Sequence, residues 1–476
     1  MRLEDIGITV KDLDFGGVDA ESDRRLADYF IDTPQVDEAL SFRSAHFIGR
    51  KGSGKSSIFM QLPRLAADRY GAGRCQVSLM TPDQYAWGAL RQYQERGLLP
   101  EQAHSNAWKF TIAVDAAAAA LEAPAELLNE DARKALEQIR SFVAKNFGND
   151  APTPTATAKR LLKGLEAFNL EAFGFGVGFE RSKQEMPLTP QIIDMLLEAV
   201  EKVCGQVGVL VAADRLDDSW DGSAVSISLL IGLMKATKEI NDRYSHRDGT
   251  GIHVVTFLRS DIYQGLRFDD KDKHRAVEEE ITWNVDLLRD LVNARLPDGI
   301  TIDDIFEEGD MRGSIAPFNY LVKRTFLRPR EIIQFLQLCQ KRTPAGATEI
   351  AKDTIRDAEE LYSAWKVDDL KQEYLRVFSG FDELLEALRQ TQHRYDSIDE
   401  FTAVLTEKAP ELVDSYGARE LMQRLFDASI IGVRLRDAGV ARFRCEDSDL
   451  LLPTSGSVYI HQSLYKGLNI SEKRAS

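Results

Sequence analysis

Gly49-Arg50-Lys51-Gly52-Ser53-Gly54-Lys55-Ser56 is the stretch on which the reading of this chain turns, because it meets the pattern G-x-x-x-x-G-K-[ST] at every fixed position. Its glycines let the backbone curl around an anion with successive N–H groups pointing inward. Lys55 then brings positive charge to the β- and γ-phosphate oxygens, and the Ser56 hydroxyl is placed to bind Mg2+. The helix beginning near Gly54 directs its positive end at the same phosphates. The flanks supply the context that the motif requires. Apolar Ala45, Phe47 and Ile48 read as a strand, and Ile58, Phe59, Met60 and Leu62 read as the helix that follows. The expected ligand set is Gly49, Arg50, Lys51, Gly52, Ser53, Gly54, Lys55, Ser56 and Ser57, with ATP and Mg2+ as cofactors.

Working outward, the chain reads as an α/β protein with a parallel sheet flanked by helices. Arg74 to Leu79 alternates as a second strand, and residues 83–170 are mostly a helical insertion containing the alanine run Ala116 to Ala120. Within 173–179, glycine alternates with apolar residues at period two, which describes a glycine-rich strand or hairpin rather than a second nucleotide loop. Val207 to Ala213 is a near-continuous apolar run ending in Asp214, as in a strand buried on both faces of a parallel sheet. Ligands of open α/β sheets sit beyond the carboxyl ends of the strands, so Asp214 is the expected Mg2+ aspartate. The alternative is an acid that caps the next helix.

Ile252 to Leu258 is a third core strand, ending at Arg259-Ser260-Asp261. Arg259 is either a γ-phosphate sensor or a surface arginine paired with Asp261. Ile281 to Trp283 reads as a further short strand, preceded by the basic residues Lys271, Lys273, His274 and Arg275. In Arg328-Pro329-Arg330-Glu331 the proline suits a first helical turn, so Arg328 and Arg330 are expected to reach back to bound phosphates. Before the loop, Ile6 to Val10 suggests a short strand and Asp23 to Tyr29 a helix. Phe30 to Pro34 packs either on the nucleotide base or on the sheet.

These elements predict an ATPase core over 1–300, a helical lid over 301–350 and a helical, winged-helix domain over 351–476. The last includes a hairpin of Ile430 to Leu435 with Val440 to Cys445. Between Ser415 and Arg444 there are six arginines against three acids, which is compatible with a DNA backbone contact. The whole chain opposes that, since 76 acids against 60 lysines and arginines give a net charge of −16. Its 476 residues, 43% hydrophobic, suffice for two or three domains. No apolar run approaches the roughly 18 residues of a membrane span. Met1-Arg2-Leu3-Glu4-Asp5 does not resemble a signal peptide, so a soluble, cytoplasmic protein is expected. Cys75, Cys204, Cys339 and Cys445 lie too far apart for a zinc or disulfide framework.

The order of loop strand, acidic strand, strand ending in Arg259, R-P-R-E lid and winged helix resembles the AAA+ and STAND branch of P-loop ATPases. Origin-recognition initiator ATPases and NACHT proteins share that order. Phe30-Ile31-Asp32-Thr33-Pro34, the phosphate loop, Asp214-Arg215-Leu216-Asp217-Asp218 and Leu258-Arg259-Ser260-Asp261 are similar to a group of bacterial P-loop ATPases of antiphage or mobile-element gene neighbourhoods. AAA+ enzymes usually follow the Mg2+ aspartate with a glutamate, where this chain has Arg215. NACHT proteins carry acids three and four places on, where Asp217 and Asp218 stand, so the resemblance implies Asp217 as catalytic base, alongside Lys55 and Arg259.

What the resemblance implies is a Mg·ATP-driven switch with slow hydrolysis, self-association and a protein effector partner. A DNA-binding initiator or loader and a non-hydrolysing, ATP-bound scaffold are the competing readings.

Overall fold

The computed structural model describes the chain except residues 83, 93–99, 149–151, 154–155, 158–167, 170–184, 187–188, 219, 376, 435–438 and 473–476. The glycine-alternating stretch 173–179 therefore lies outside the described residues. The chain divides into two compact units. An α/β unit comprises Asp32–Arg50 and Gly54–Ile281, and a helical unit comprises Met1–Ile31, Lys51–Ser53 and Thr282–Ser476. These two units meet in sequence at Ile281 and Thr282, and the first 31 residues cluster with the helical unit.

Five parallel strands form the sheet of the α/β unit: β1 (His46–Gly49), β2 (Cys75–Met80), β3 (Gly208–Ala213), β4 (Ile252–Arg259) and β5 (Glu278–Glu280), in spatial order β2-β3-β4-β1-β5. β3 and β4 are central and almost wholly buried, which their unbroken apolar runs anticipate. β5 is an edge strand made of three glutamates and lies just before the expected Ile281 to Trp283. Apolar patterning missed it because an edge strand tolerates charge, which also blunts pairing with other chains. Its place is fixed by register, with His46 opposite Glu278.

Helices Pro100–Ala120, Glu130–Phe147 and Pro190–Cys204 fill the connection between β2 and β3. The alanine run does more than favour helix: Ala113, Ala116, Ala117 and Ala120 are fully buried, so small side chains let this helix approach Ala224–Tyr244 closely. At Gly232 an added Cβ would meet His104 Cβ at 2.9 Å and the Ser105 nitrogen at 3.0 Å.

The helical unit holds two apolar cores. Its N-terminal segment forms 3-10 turns at Leu3–Ile6 and Val10–Asp12 in place of the expected strand. Asp5 and Asp12 there accept the N–H groups of Arg2 and Thr9, a local satisfaction that makes a sheet partner unnecessary. Likewise, turns replace the expected helix at Asp23 to Tyr29. Helices Val285–Asn293, Pro317–Val322, Pro329–Arg342 and Lys352–Tyr374 follow.

The C-terminal region runs helix Phe381–Glu386, strand β6 (Arg394–Tyr395), helices Ile398–Lys408, Pro410–Tyr416 and Ala418–Asp427, then β7 (Ile431–Arg434) and β8 (Ser457–Ile460). The antiparallel order β6-β8-β7 completes a winged-helix arrangement. β7 pairs with β8, and among the described residues the segment at 440–445 joins β7 through the antiparallel bridge between Arg442 and Val433, so the two arms of the expected hairpin do meet there. Gly432 permits that approach, since a Cβ there would lie 2.7 Å from the Arg442 carbonyl oxygen.

Candidate nucleotide site

β1 ends at Gly49, β3 leads into Asp214 and β4 ends at Arg259, so the carboxyl ends of three strands bring these residues to one edge of the sheet. Gly49 lies directly opposite Arg259. β1 is also where the topology reverses, because the chain leaves it for the far edge at β2 and later returns to its other side as β5.

Beyond β1, Gly54 adopts φ +93°, a left-handed conformation that a β-carbon would strain. The helix Lys55–Tyr70 starts there, with the Ile58 N–H donating to the Gly54 carbonyl. Helix geometry leaves the N–H groups of its first turn, including those of Lys55, Ser56 and Ser57, without intrahelical acceptors.

Lys55 is buried, and its Nζ donates to the carbonyl oxygens of Gly49 at 2.8 Å and Arg50 at 2.9 Å. Burial holds this ammonium below the ordinary lysine range, with Asp214 opposing the shift. Ser56 Oγ donates to Asp214 Oδ2 at 2.7 Å. Burial raises the Asp214 carboxyl above its ordinary value, and the Ser56 hydroxyl and Arg215 N–H lower it part of the way back. The two expected metal ligands are thus in contact, and they present oxygen donors only. Among the described residues no group of three or more His, Cys, Asp or Glu could hold a metal ion. One hydroxyl and one carboxylate nonetheless suit Mg2+, which keeps waters and takes phosphate oxygens for its remaining positions.

Arg259 lies between two acids. Nε and Nη2 donate to Asp261 at 3.1 and 2.6 Å, and Nη1 donates to Asp217 Oδ2 at 3.2 Å. The Asp261 pairing is therefore real, and the same guanidinium also reaches Asp217. Asp218 is engaged separately, by Arg215 at 2.8 Å, and Arg215 holds φ +61° directly after the acidic strand.

The loop tip, Lys51–Ser53, clusters with the helical unit. Lys51 Nζ pairs with Asp369 Oδ1 at 2.9 Å, and the Trp283 indole donates to the Ser53 carbonyl at 2.8 Å. Gly52 has φ +76°, and a Cβ there would come within 3.1 to 3.2 Å of the Arg330 stem. The Arg330 guanidinium pairs with Asp19.

Arg328, expected to reach back to bound phosphates, has carboxylate partners in the helical unit. It is 3% exposed and clamped by Glu373, through Nη1 at 2.8 Å and Nη2 at 3.3 Å, with Glu331 3.5 Å from its Nε. Glu331 also receives Lys366 at 2.5 Å. Burial alone would lower the Arg328 pKa, but Glu373 and Glu331 outweigh it and raise it. Residue type at a helix start cannot separate Arg328 from Arg330. The available signal was the spacing of Lys366, Asp369 and Glu373, which places all three on one face of the helix Lys352–Tyr374.

The basic stretch 271–275 is a short helix. Lys271 donates to the carbonyls of Tyr263 and Leu266, and the His274 imidazole lies 3.1 Å from that of His46. In the winged-helix region Arg424 pairs with Glu420, Arg442 with Asp447 and Arg444 with Asp427, while Arg419 donates to the carbonyls of Leu452 and Pro453. Arg436 lies outside the described residues.

Residues 285–371 match the family model described as the FunZ-associated C-terminal helical domain. That range takes in Arg328, Arg330, Glu331, Lys366 and Asp369. The chain is 22% identical over 521 aligned positions to the putative transposon gamma-delta 80.3 kDa protein of Escherichia coli K12, covering 98% of this chain and 68% of that protein. Among solved structures it is similar to the Aeropyrum pernix ORC1 protein in complex with DNA, at 12% identity and a TM-score of 0.35 over 97% of this chain and 95% of that one. It is also similar to the ORC2 protein of the same organism in its ADPNP and ADP complexes, at 10% identity and a TM-score of 0.31 over 93% and 94% of the two chains. Likeness at this level carries no argument about function. No helix among the described residues is long and apolar enough to cross a membrane.

Proposed function

We propose that this chain binds Mg·ATP at residues 49–57 and hydrolyses it slowly, as a switch whose nucleotide state governs conformation, self-association and a protein effector. The observation that carries the reading is the contact of Ser56 with Asp214 beside the buried Lys55 ammonium, at the carboxyl edge of a parallel sheet. When bound, Mg2+ supplies charge compensation for the phosphates, and Ser56 and Asp214 are the residues that hold it.

The remaining roles belong to the chain. Lys55 leaves the Gly49 and Arg50 carbonyls for phosphate oxygens, and the loop N–H groups orient the anion. Asp217 orients the attacking water and takes its proton, while Arg259, already on Asp217, positions that carboxylate and faces the developing charge.

The bacterial cytoplasm, with a role in antiphage defence, is the setting that the motif resemblance supports. DNA contact is the lesser reading, because the winged-helix arginines named above already hold acids or carbonyls of their own region. The test is steady-state Mg2+-dependent ATP hydrolysis by the full chain beside Lys55→Ala and Asp217→Ala. The proposal expects turnover in wild type and its loss in both variants. Binding without turnover in wild type would favour the scaffold reading.

A further inference from the structure

Lys51 is the third residue of the phosphate loop, and its side chain is 28% exposed. Its present partner, Asp369, is 10% exposed and stands on the same face of the helix Lys352–Tyr374 as Lys366 and Glu373. Those two neighbours hold Glu331 and Arg328. Lys51, Lys366 and Arg328 therefore balance Asp369, Glu331 and Glu373. The loop tip is gripped beside this cluster by the Trp283 bond to Ser53 and by the Arg330 stem over Gly52.

A triphosphate and a carboxylate compete for the same ammonium. If phosphate oxygens take Lys51, Asp369 loses its cation and the cluster is left with one net negative charge in a poorly hydrated place. That imbalance costs free energy unless the helical region rearranges around it. We infer that Asp369 is a positioning residue for the phosphate loop: it competes with bound nucleotide for Lys51, so nucleotide binding releases it and unbalances the ion cluster of the helical region. The inference rests on the proposed ATP site and adds the residue through which occupancy of the loop is passed on.

The test is ATP affinity, measured by equilibrium dialysis in Mg2+ on the full chain, for wild type, Asp369→Asn, Asp369→Glu, Lys51→Ala and the double variant Lys51→Ala with Asp369→Asn. Removing the competing carboxylate is expected to tighten ATP binding by about fivefold, the order of a partly exposed ion pair. Asp369→Glu restores wild-type affinity, and Asp369→Asn has no effect once Lys51 is alanine. A residue that merely supports the fold would weaken binding when changed, and would do so equally in both backgrounds. That outcome, or an unchanged affinity in Asp369→Asn, overturns the inference while leaving the ATP site standing. Wild type that binds no ATP at all overturns the site itself and the inference with it.

Discussion

Lys55 and Arg328 are both buried cations, yet Lys55 rests on the Gly49 and Arg50 carbonyls while Arg328 is clamped by Glu373 with Glu331 beside it. A cation held by neutral oxygens keeps its charge uncompensated and exchanges those partners for an anion at small cost. A cation in a two-pronged carboxylate pair has its charge cancelled and gains nothing from leaving. The same contrast separates Asp214, which accepts a serine hydroxyl, from Glu373, which accepts an arginine. For these two pairs, the charge assigned to a ligand is held by neutral groups and the charge assigned to the fold is held by its opposite.

The sharpest way to break the comparison is Glu373→Ala. It leaves the Arg328 guanidinium buried without its principal partner and is expected to cost about 3–5 kcal/mol of stability, read as a fall in the denaturant midpoint. A loss of less than about 1 kcal/mol would mean that Arg328 reaches solvent.

Asp115 is a third kind of buried charge, deep in the helix Pro100–Ala120, with the Ser78 hydroxyl at 3.5 Å as its one hydrogen-bond partner among the described residues. Burial pushes its carboxyl up from 3.8 to about 7. A folded-state pKa above the unfolded one gives stability that is present below pH 3.8 and is lost as pH rises through about 7. Asp115→Asn, neutral throughout, should therefore gain on wild type with rising pH, to a ceiling of about 4 kcal/mol. Denaturant midpoints taken at acid and at alkaline pH check this, and an advantage that does not grow with pH contradicts it.

The imidazole pair works in the opposite direction. Burial holds His46 at about 3, and His274 at about 4, below the ordinary 6.5. Their stability is full above pH 6.5 and is lost as pH falls toward those values. For His46 the expected loss at mildly acid pH is about 2 kcal/mol, measured as the difference in acid sensitivity between wild type and His46→Asn. The smallest expected effect is that of Lys55→Ala on stability, within about 1 kcal/mol, because the cost of burying the ammonium offsets most of what its two carbonyl hydrogen bonds and the nearby Asp214 return.

Much of the α/β unit was legible in the sequence because it rests on period and motif. The apolar runs of β3 and β4, the alternation of β2 and the phosphate loop each carry their own local signal, and Ser56 and Asp214 are in hydrogen-bond contact. β5 was misplaced because its three glutamates carry no hydrophobic signal and its position depends on pairing with β1. Local turn residues pointed to the arms at 430–445, which meet at Val433 and Arg442, while the longer pairing of β7 with Ser457–Ile460 depends on a partner distant in sequence. Arg328 and Arg330 show where residue identity runs out: two arginines flank one proline, and only the long-range partners Glu373 and Asp19 tell them apart. Asp369 had no motif at all, since an acid on a long helix is ordinary until Lys51 is found beside it.

The central claim is that the cation on carbonyls is the one that binds a triphosphate. Its most direct test is the dissociation constant of Mg·ATP for the full chain beside Lys55→Ala, with thermal melting run on the same samples. The account predicts that wild type binds, that Lys55→Ala loses the binding, and that the two proteins melt alike without nucleotide. Equal affinity in wild type and Lys55→Ala, or no binding by either, would contradict it.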